Sequence, residues 1–429
     1  MVRKIVAAAA ALGMFASVMF ASAVLNSRVA AGAAVSTPFH QCPAVGASPS
    51  CQLLLVVNPD RTVSVQGDPA VHPYDGLDDT LVGVVNNSLT SVSAITVTGP
   101  RSGLSLFHGD GLCTYGVAGC PFAATGYEGP NTKFVTDSAL RDKAEVDFTG
   151  GLVPGQSRYF SLEGALTAAS ITVRQGTLRY SIASLGDSFS SGEGNPPFDP
   201  DSNDGCDRSS RAWPRLLHSS RADLALVAHL ACSGATSAAL SGAFDSEPPQ
   251  ESQLAGLPKP PTFVTLTIGG NDIGFSAVLR DCFVVDCYWD GTLAATSRRI
   301  DTLATYIQYK YQDIQRASPT SRLIVVGYPN LFPRLQSNAV NCGWLSNNER
   351  ATLVALSDKL NNTLANAAAG VGAIYAPTVN SLNGHELCTA SSWVNPIGSF
   401  SSPTFNSQGH PNASGQIAME TAVLAKIPQ

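Results

Sequence analysis

From about residue 178 to the C-terminus, two kinds of segment alternate. Short apolar runs, "SIASL" (181–185), "ALVAHLA" (225–231), "TFVTLTI" (262–268), "RLIVVG" (322–327) and "GAIYA" (372–376), are separated by helix candidates near 209–220, 296–317, 347–369 and 412–426. A helix between two strands is the connection that parallel pairing needs, whereas antiparallel neighbours are joined by tight turns. The alternation predicts a doubly wound α/β domain over 178–429: a parallel sheet, helices on both faces, right-handed crossovers and a ligand crevice beyond the carboxyl ends of the strands.

Upstream the pattern differs. Between about residues 52 and 175, "QLLLVV", "LVGVVNNSLTSVSAITVTG", "AEVDFTGGLVPGQSRYFSLEG" and "ASITV" are rich in β-branched and aromatic residues and punctuated by "NPD", "NNS" and "VPGQ". These features predict an antiparallel, immunoglobulin-like all-β sandwich over 36–177 with no long amphipathic helix. A chain of 429 residues suits two such domains.

Ahead of both lies a leader pattern. Arg3 and Lys4 precede an Ala-rich apolar stretch from Ile5 to Leu25, then small residues at Ala31, Gly32, Ala33 and Ala34. That order reads as a secretory signal over residues 1–33, with an uncleaved membrane anchor as the competing reading. Its removal takes three of the 26 basic residues and none of the 32 acids, so the net charge of −6 becomes −9. An acidic exported chain is a poor match for nucleic acid or an anionic membrane.

All ten cysteines follow the leader, and an even number in an exported chain points to disulfides. Pairing of neighbours gives Cys42–Cys51, Cys113–Cys120 and Cys282–Cys287, with Cys206–Cys232 and Cys342–Cys388 from the remaining four; the sequence leaves connectivity open. The tight CxxC or HxxxH spacing of a zinc site is absent, and no metal or cofactor is expected.

The strand ends carry the polar residues. "GDSFSSGEG" (186–194) follows the first apolar run, where Gly186 permits a sharp turn and Ser188 is a candidate nucleophile if a base and an oxyanion site converge on it. Asp187, Ser188 and Ser190 equally suit a helix N-cap. After the second run, "CSGATS" (232–237) offers the unobstructed N–H of Gly234; after the third, "IGGNDIGF" (268–275) offers the Asn271 amide. Donors of this kind are what a tetrahedral oxyanion requires, although a packing glycine and an Asx-turn account for the same residues. Near the C-terminus "HPNASGQ" (410–416) places His410 in a Gly/Pro-bounded loop before the last helix, unlike His218 and His229, which lie within a helix and a strand.

Those four blocks, in that order, resemble the SGNH or GDSL hydrolase superfamily, and "CDRSSRAWP" (206–214) is similar to its secreted bacterial lipase and esterase branch. The resemblance covers 180–429 and implies a flavodoxin-like sheet. It also implies Ser188 as nucleophile, His410 as general base, and an oxyanion hole made of the Ser188 N–H, the Gly234 N–H and the Asn271 side chain. Asp187, adjacent to the nucleophile, points elsewhere and is not the triad acid. The G-x-S-x-G elbow is not present, since the position two after Ser188 is Ser190.

One position departs from the family pattern. Many members carry an aspartate three residues before the histidine; here it is Ser407, and no Asp or Glu lies between Glu386 and Glu420. A main-chain carbonyl, that of Ser407, is therefore expected to hold Nδ1 of His410, with a distant carboxylate, nearest in sequence at Glu386, as the alternative.

The expected activity is hydrolysis of lipid or small-molecule carboxylic esters, with carbohydrate O-acetylesterase and phospholipase as alternatives on the same site. A reading from another class is a surface-binding protein with an inert hydrolase-like half. Pocket walls are expected from loops 196–208 and 272–295. In the N-terminal half, "YDGLDDT" (74–80) and "GDGLC" (109–113) read as turns, with calcium as a weaker reading since neither has D-x-D-x-D-G spacing. The sandwich leaves open a contact with a cell surface or polymer; oligomeric state is not readable.

Overall fold

The computed structural model describes residues 37–99, 111–135, 142–199, 205–221, 223–338, 342–398 and 407–429. The leader and residues 109–110 of the second turn motif lie outside them. Among the described residues no helix is long and apolar enough to cross a membrane.

Two four-stranded sheets come first: β2-β1-β3-β7, formed by Val63–Gly67, Leu53–Val57, Thr80–Asn86 and Ser157–Leu162, and β5-β6-β4-β8, formed by Thr132–Val135, Lys143–Leu152, Val92–Thr98 and Thr172–Gln175. Their facing side chains, Leu55, Val84 and Phe160 from one sheet and Ile95, Val146 and Val173 from the other, share one buried core. One pairing corrects the antiparallel expectation: β1 and β3 run parallel, Leu53 opposite Val82. Strand β2 turns back along one edge of β1, and residues 68–79 return the chain to start β3 on the other edge. The continuous burial of "LLLVV" in β1 has a related cause. Its second face is covered by Phe39, Tyr74 and the Cys42–Cys51 disulfide, so alternation would leave polar side chains buried.

From Tyr180 a five-stranded, wholly parallel sheet follows in the order β10-β9-β11-β12-β13 (Leu224–His229, Tyr180–Gly186, Phe263–Thr267, Arg322–Val326, Ile374–Ala376). The second strand in sequence lies outside the first, which is the flavodoxin-like order, and the direction of winding reverses between β9 and β11. Helices α1 to α8 are Ser188–Ser191, Trp213–Ser220, Gln250–Ala255, Phe275–Val284, Thr292–Ala304, Ile307–Ala317, Asn347–Gly370 and Ala413–Leu424.

The single helix expected over 296–317 is two, α5 and α6, broken at Thr305 and Tyr306. The break aims the Tyr306 hydroxyl at Asp272 Oδ1, 3.1 Å away. Helix α7 starts with a full capping box: Ser346 accepts from the Glu349 N–H, and Glu349 accepts from the Ser346 N–H at 2.8 Å. Five disulfides join Cys42–Cys51, Cys113–Cys120, Cys206–Cys232, Cys282–Cys287 and Cys342–Cys388.

The two halves are fastened by a buried lysine. Lys143 of β6 donates to the main-chain carbonyls of His218 (2.6 Å), Arg221 (2.6 Å) and Leu224 (2.8 Å) at the end of α2 and the start of β10. Those carbonyls include helix-terminal oxygens that have no intrahelical donor, and a cation there also meets the negative end of the helix dipole. Beside it Asp142 Oδ1 faces His218 Nε2 at 3.3 Å, while His218 Nδ1 accepts from the Leu226 N–H at 3.0 Å.

Candidate active site

Strand β9 ends at Gly186 with φ +123°, and a Cβ there would lie 2.1 Å from the Thr267 carbonyl oxygen of β11. Only glycine lets the chain turn this close to its neighbour. Gln250 holds the turn from both sides, accepting from the Gly186 N–H at 2.7 Å and donating to its carbonyl at 2.9 Å. Asp187 is then the N-cap of α1, its Oδ1 accepting from the Phe189 N–H at 3.1 Å. Ser188 is the first helical residue and is 6% exposed. The cap reading is thus true of Asp187, and Ser188 is left facing the crevice.

His410 is brought there by the loop before α8. Asn412 caps that helix, accepting from the N–H groups of Ser414 and Gly415. Asn395 brackets the histidine, donating its N–H to the His410 carbonyl at 2.8 Å and accepting from the Gly409 N–H at 3.1 Å. Two side-chain amides tie this loop to the nucleophile turn: Asn195 donates to the Pro411 carbonyl at 2.8 Å and Asn395 to the Gly194 carbonyl at 3.3 Å. The result is a distance of 2.7 Å between His410 Nε2 and Ser188 Oγ, with the Phe189 ring 5.3 Å from the imidazole, centroid to centroid. The Ser407 carbonyl accepts from the His410 main-chain N–H at 3.3 Å.

Gly234, with φ +80°, and Asn271 line the same cleft as Ser188 and His410. Asn271 is oriented by donating one amide proton to the Ala235 carbonyl at 2.9 Å, which leaves its second for the crevice. Asp272 fastens the two loops together, accepting from the Ser237 N–H at 2.9 Å and from the Ser237 and Tyr306 hydroxyls.

Asp187 is more deeply engaged than a local turn requires. Besides Phe189, it accepts from the Thr267 hydroxyl at 2.8 Å and from the Tyr328 hydroxyl, which in turn accepts from the Gly270 N–H at 3.0 Å. Burial pushes its carboxyl up to about 6, against the lowering effect of its donors Tyr328, Thr267 and Phe189. Glu193, two residues beyond α1, is also buried, and burial together with the carboxyl of Asp207 pushes it up to about 8.

Two clefts meet at Ser188. One is walled by Leu279 of α4, Leu331 and Phe332 after β12, and Leu353, Leu356 and Leu360 of α7. The other is polar, with Ser233, Asp207, Asp245 and Gln408. Gly205 and Asp207 of segment 196–208, whose residues 200–204 lie outside the described ones, and Ile273, Phe275 and Leu279 of segment 272–295 supply part of these walls. The α7 contribution was missed, because a helix with apolar residues on more than one side reads as core from sequence. Tyr328 and Gln250 were missed too: Tyr328 carried only the signal of a polar residue just past a strand end, and Gln250, at the start of α3, carried none.

Among the described residues, two groups of three metal-ligating side chains come together. In one, Cys282 and Cys287 are already joined to each other. In the other, Asp78, Asp79 and Glu163, the last two accept from the hydroxyls of Tyr74 and Tyr127, while Asp75 Oδ1 accepts from three successive N–H groups in the 74–80 turn.

Comparison with known proteins bears on the same region. Residues 184–417 match the model of the GDSL-like Lipase/Acylhydrolase family. Lipase 1 of Streptomyces coelicolor is 31% identical over 261 residues, covering 60% of this chain and 88% of that lipase. Among solved structures, a phospholipase A1 of Streptomyces albidoflavus (27% identity, TM-score 0.50) covers 58% of this chain and 99% of its own. An extracellular lipase of Streptomyces rimosus (28% identity, TM-score 0.50) covers 58% and 100%.

Proposed function

Because the chain belongs to the GDSL-like lipase/acylhydrolase family and is a carboxylic ester hydrolase, we propose that it works through an acyl-enzyme on Ser188. The observation that carries this reading is the 2.7 Å approach of His410 Nε2 to Ser188 Oγ. Ser188 Oγ attacks the ester carbonyl and its proton passes to Nε2; the tetrahedral oxyanion is held by the Ser188 and Gly234 N–H groups and by the Asn271 amide. Collapse expels the alcohol, which takes the proton from His410. Water then repeats the sequence on the acyl-enzyme, releasing the acid and restoring Ser188.

We propose that a main-chain oxygen, that of Ser407, orients His410 Nδ1–H in the working enzyme; the bond seen to this carbonyl comes from the His410 main-chain N–H. A neutral oxygen fixes the tautomer but stabilises the imidazolium less than a carboxylate does. Lipid esters fit the site best, because leucine and phenylalanine side chains wall one side of the nucleophile. A phospholipase activity uses the same site, and the polar cleft with Asp207 and Asp245 suits a hydroxyl-rich or zwitterionic leaving group.

We further propose that residues 1–33 are a secretory signal and that the protein acts outside the cell, supported by five disulfides and the leader pattern. Residues 36–177 are taken as an immunoglobulin-like sandwich and 178–429 as the hydrolase domain, supported by the separate sheets and separate buried cores on either side of residues 176–179.

The test is Ser188→Ala assayed on chromogenic esters from acetyl to long acyl chains, with folding followed by circular dichroism. Loss of at least about 10³-fold in kcat is expected for every ester; equal turnover would remove the serine mechanism. Activity of the parent confined to acetyl esters would replace the lipase reading with that of an O-acetylesterase.

A further inference from the structure

Helix α4 starts beside the nucleophile, where Phe275 and Leu279 line the apolar cleft, and ends in the opposite situation. Its last residue, Val284, is 65% exposed, Val285 is 51% exposed and Trp289 is 76% exposed, with Tyr288 packed edge-on against Trp289 at 4.8 Å between centroids. Large apolar side chains grouped this closely on a surface mark a contact site rather than chance exposure.

The loop is also rigidly built. The Cys282–Cys287 disulfide closes it, and the Cys287 N–H donates at 2.9 Å to Glu349, the capping residue of α7. These two ties hold the loop where the Trp289 indole is exposed.

Its apolar surface is continuous with the cleft by two routes. Phe332 of the cleft wall packs on Trp344, which packs on Phe283, the residue before Val284. Leu356 of α7 lines the cleft and also the surface groove that holds Tyr288 and Trp289. The surrounding charges are Arg280 and Lys359 against Asp281, Asp286, Asp290 and Asp301, the last paired with Lys359 at 2.7 Å, a net negative rim that disfavours anionic lipid.

We propose that the segment 284–289 is the docking surface by which this enzyme seats on a lipid–water interface of uncharged or zwitterionic lipid, with Trp289 and Val285 entering the headgroup layer beside the mouth of the acyl cleft. The proposal rests on the reading of the protein as an esterase of lipids. Tryptophan and tyrosine suit that layer, since each has an apolar body and one polar tip. The substrate's acyl chain would then pass from the layer into the cleft along a path lined by apolar side chains.

The experiment uses the full chain and phosphatidylcholine vesicles, some with brominated acyl chains. The Ser188→Ala protein should still co-sediment with vesicles, which separates docking from catalysis. Brominated lipid should quench tryptophan emission of the parent and much less that of Trp289→Phe. Trp289→Ser with Val285→Ser should weaken vesicle binding and hydrolysis of an emulsified long-chain ester at least tenfold, with turnover of a soluble short-chain ester kept within twofold. No binding of the parent to vesicles, quenching unchanged in Trp289→Phe, or sedimentation showing a dimer that Trp289→Ser dissociates would each overturn the proposal.

Discussion

The carboxylate of Asp187 is turned away from Ser188, its neighbour in the chain, and accepts the hydroxyl of Tyr328 beneath the nucleophile turn. The acid nearest in sequence to the nucleophile is thus committed to holding β9, β11 and the segment after β12 together. If it were the triad acid, Asp187→Asn would cost about 10⁴-fold in kcat. The expected loss is under 100-fold, with the larger effect on stability. Tyr328→Phe removes a donor to a buried carboxylate and should lower unfolding free energy by about 1–3 kcal/mol, read by urea denaturation.

Asn271 donates one amide proton to Ala235 and keeps the other for the crevice. Asn271→Ala should lower kcat by about 10²- to 10³-fold with little change in KM, since the interaction strengthens only as the oxyanion forms. An equal fall from a rise in KM alone would assign the amide to ground-state binding instead.

Glu193 gives a pH dependence with a definite sign. Its carboxyl is raised to about 8 in the folded protein by burial and by Asp207, above the ordinary 4.5. The native state therefore binds more protons between those values, so this group's contribution is full below about 4.5 and is lost as pH rises through 8. Stability should fall with rising pH in that window at up to about 1.4 kcal/mol per pH unit from this group. Glu193→Gln, neutral throughout, should flatten the profile; an unchanged slope in thermal unfolding at pH 5 to 8.5 would contradict the assignment.

Lys143 joins the N-terminal sheets to α2 through three carbonyls. Lys143→Met keeps most of the volume and leaves those oxygens without their shared donor. A loss of about 2–4 kcal/mol is expected, read by urea denaturation. Hydrolysis of soluble esters at 25 °C should be unchanged, because α2 contributes no side chain to the Ser188–His410 pair.

How much of this was open to sequence reading depends on range. The five parallel strands and the last two helices follow from local periodicity and caps, and the four strand-end blocks are contiguous stretches with strong local chemistry. The parallel β1–β3 pair is not local: it depends on residues 68–79 carrying the chain across a strand, which alternation does not encode. Nor does the break at Thr305 and Tyr306 show in helix propensity, and the contact it permits, the Tyr306 hydroxyl with Asp272, is made across the fold. Tyr328 and Lys143 are single polar residues whose roles come from partners 141 and 75 to 81 positions away. Leu353, Leu356 and Leu360 read as core because one helix serves both core and cleft.

The central claim is that Ser188 becomes acylated. Acid-quenched mixtures of enzyme and a slowly deacylating ester, digested and measured by mass spectrometry, test it directly. The account predicts one acyl increment on the peptide containing Ser188, present in the parent, absent in Ser188→Ala, and much slower to form in His410→Ala. An acyl group on another residue, or turnover by the Ser188→Ala protein at the parent's rate with no adduct anywhere, would contradict it.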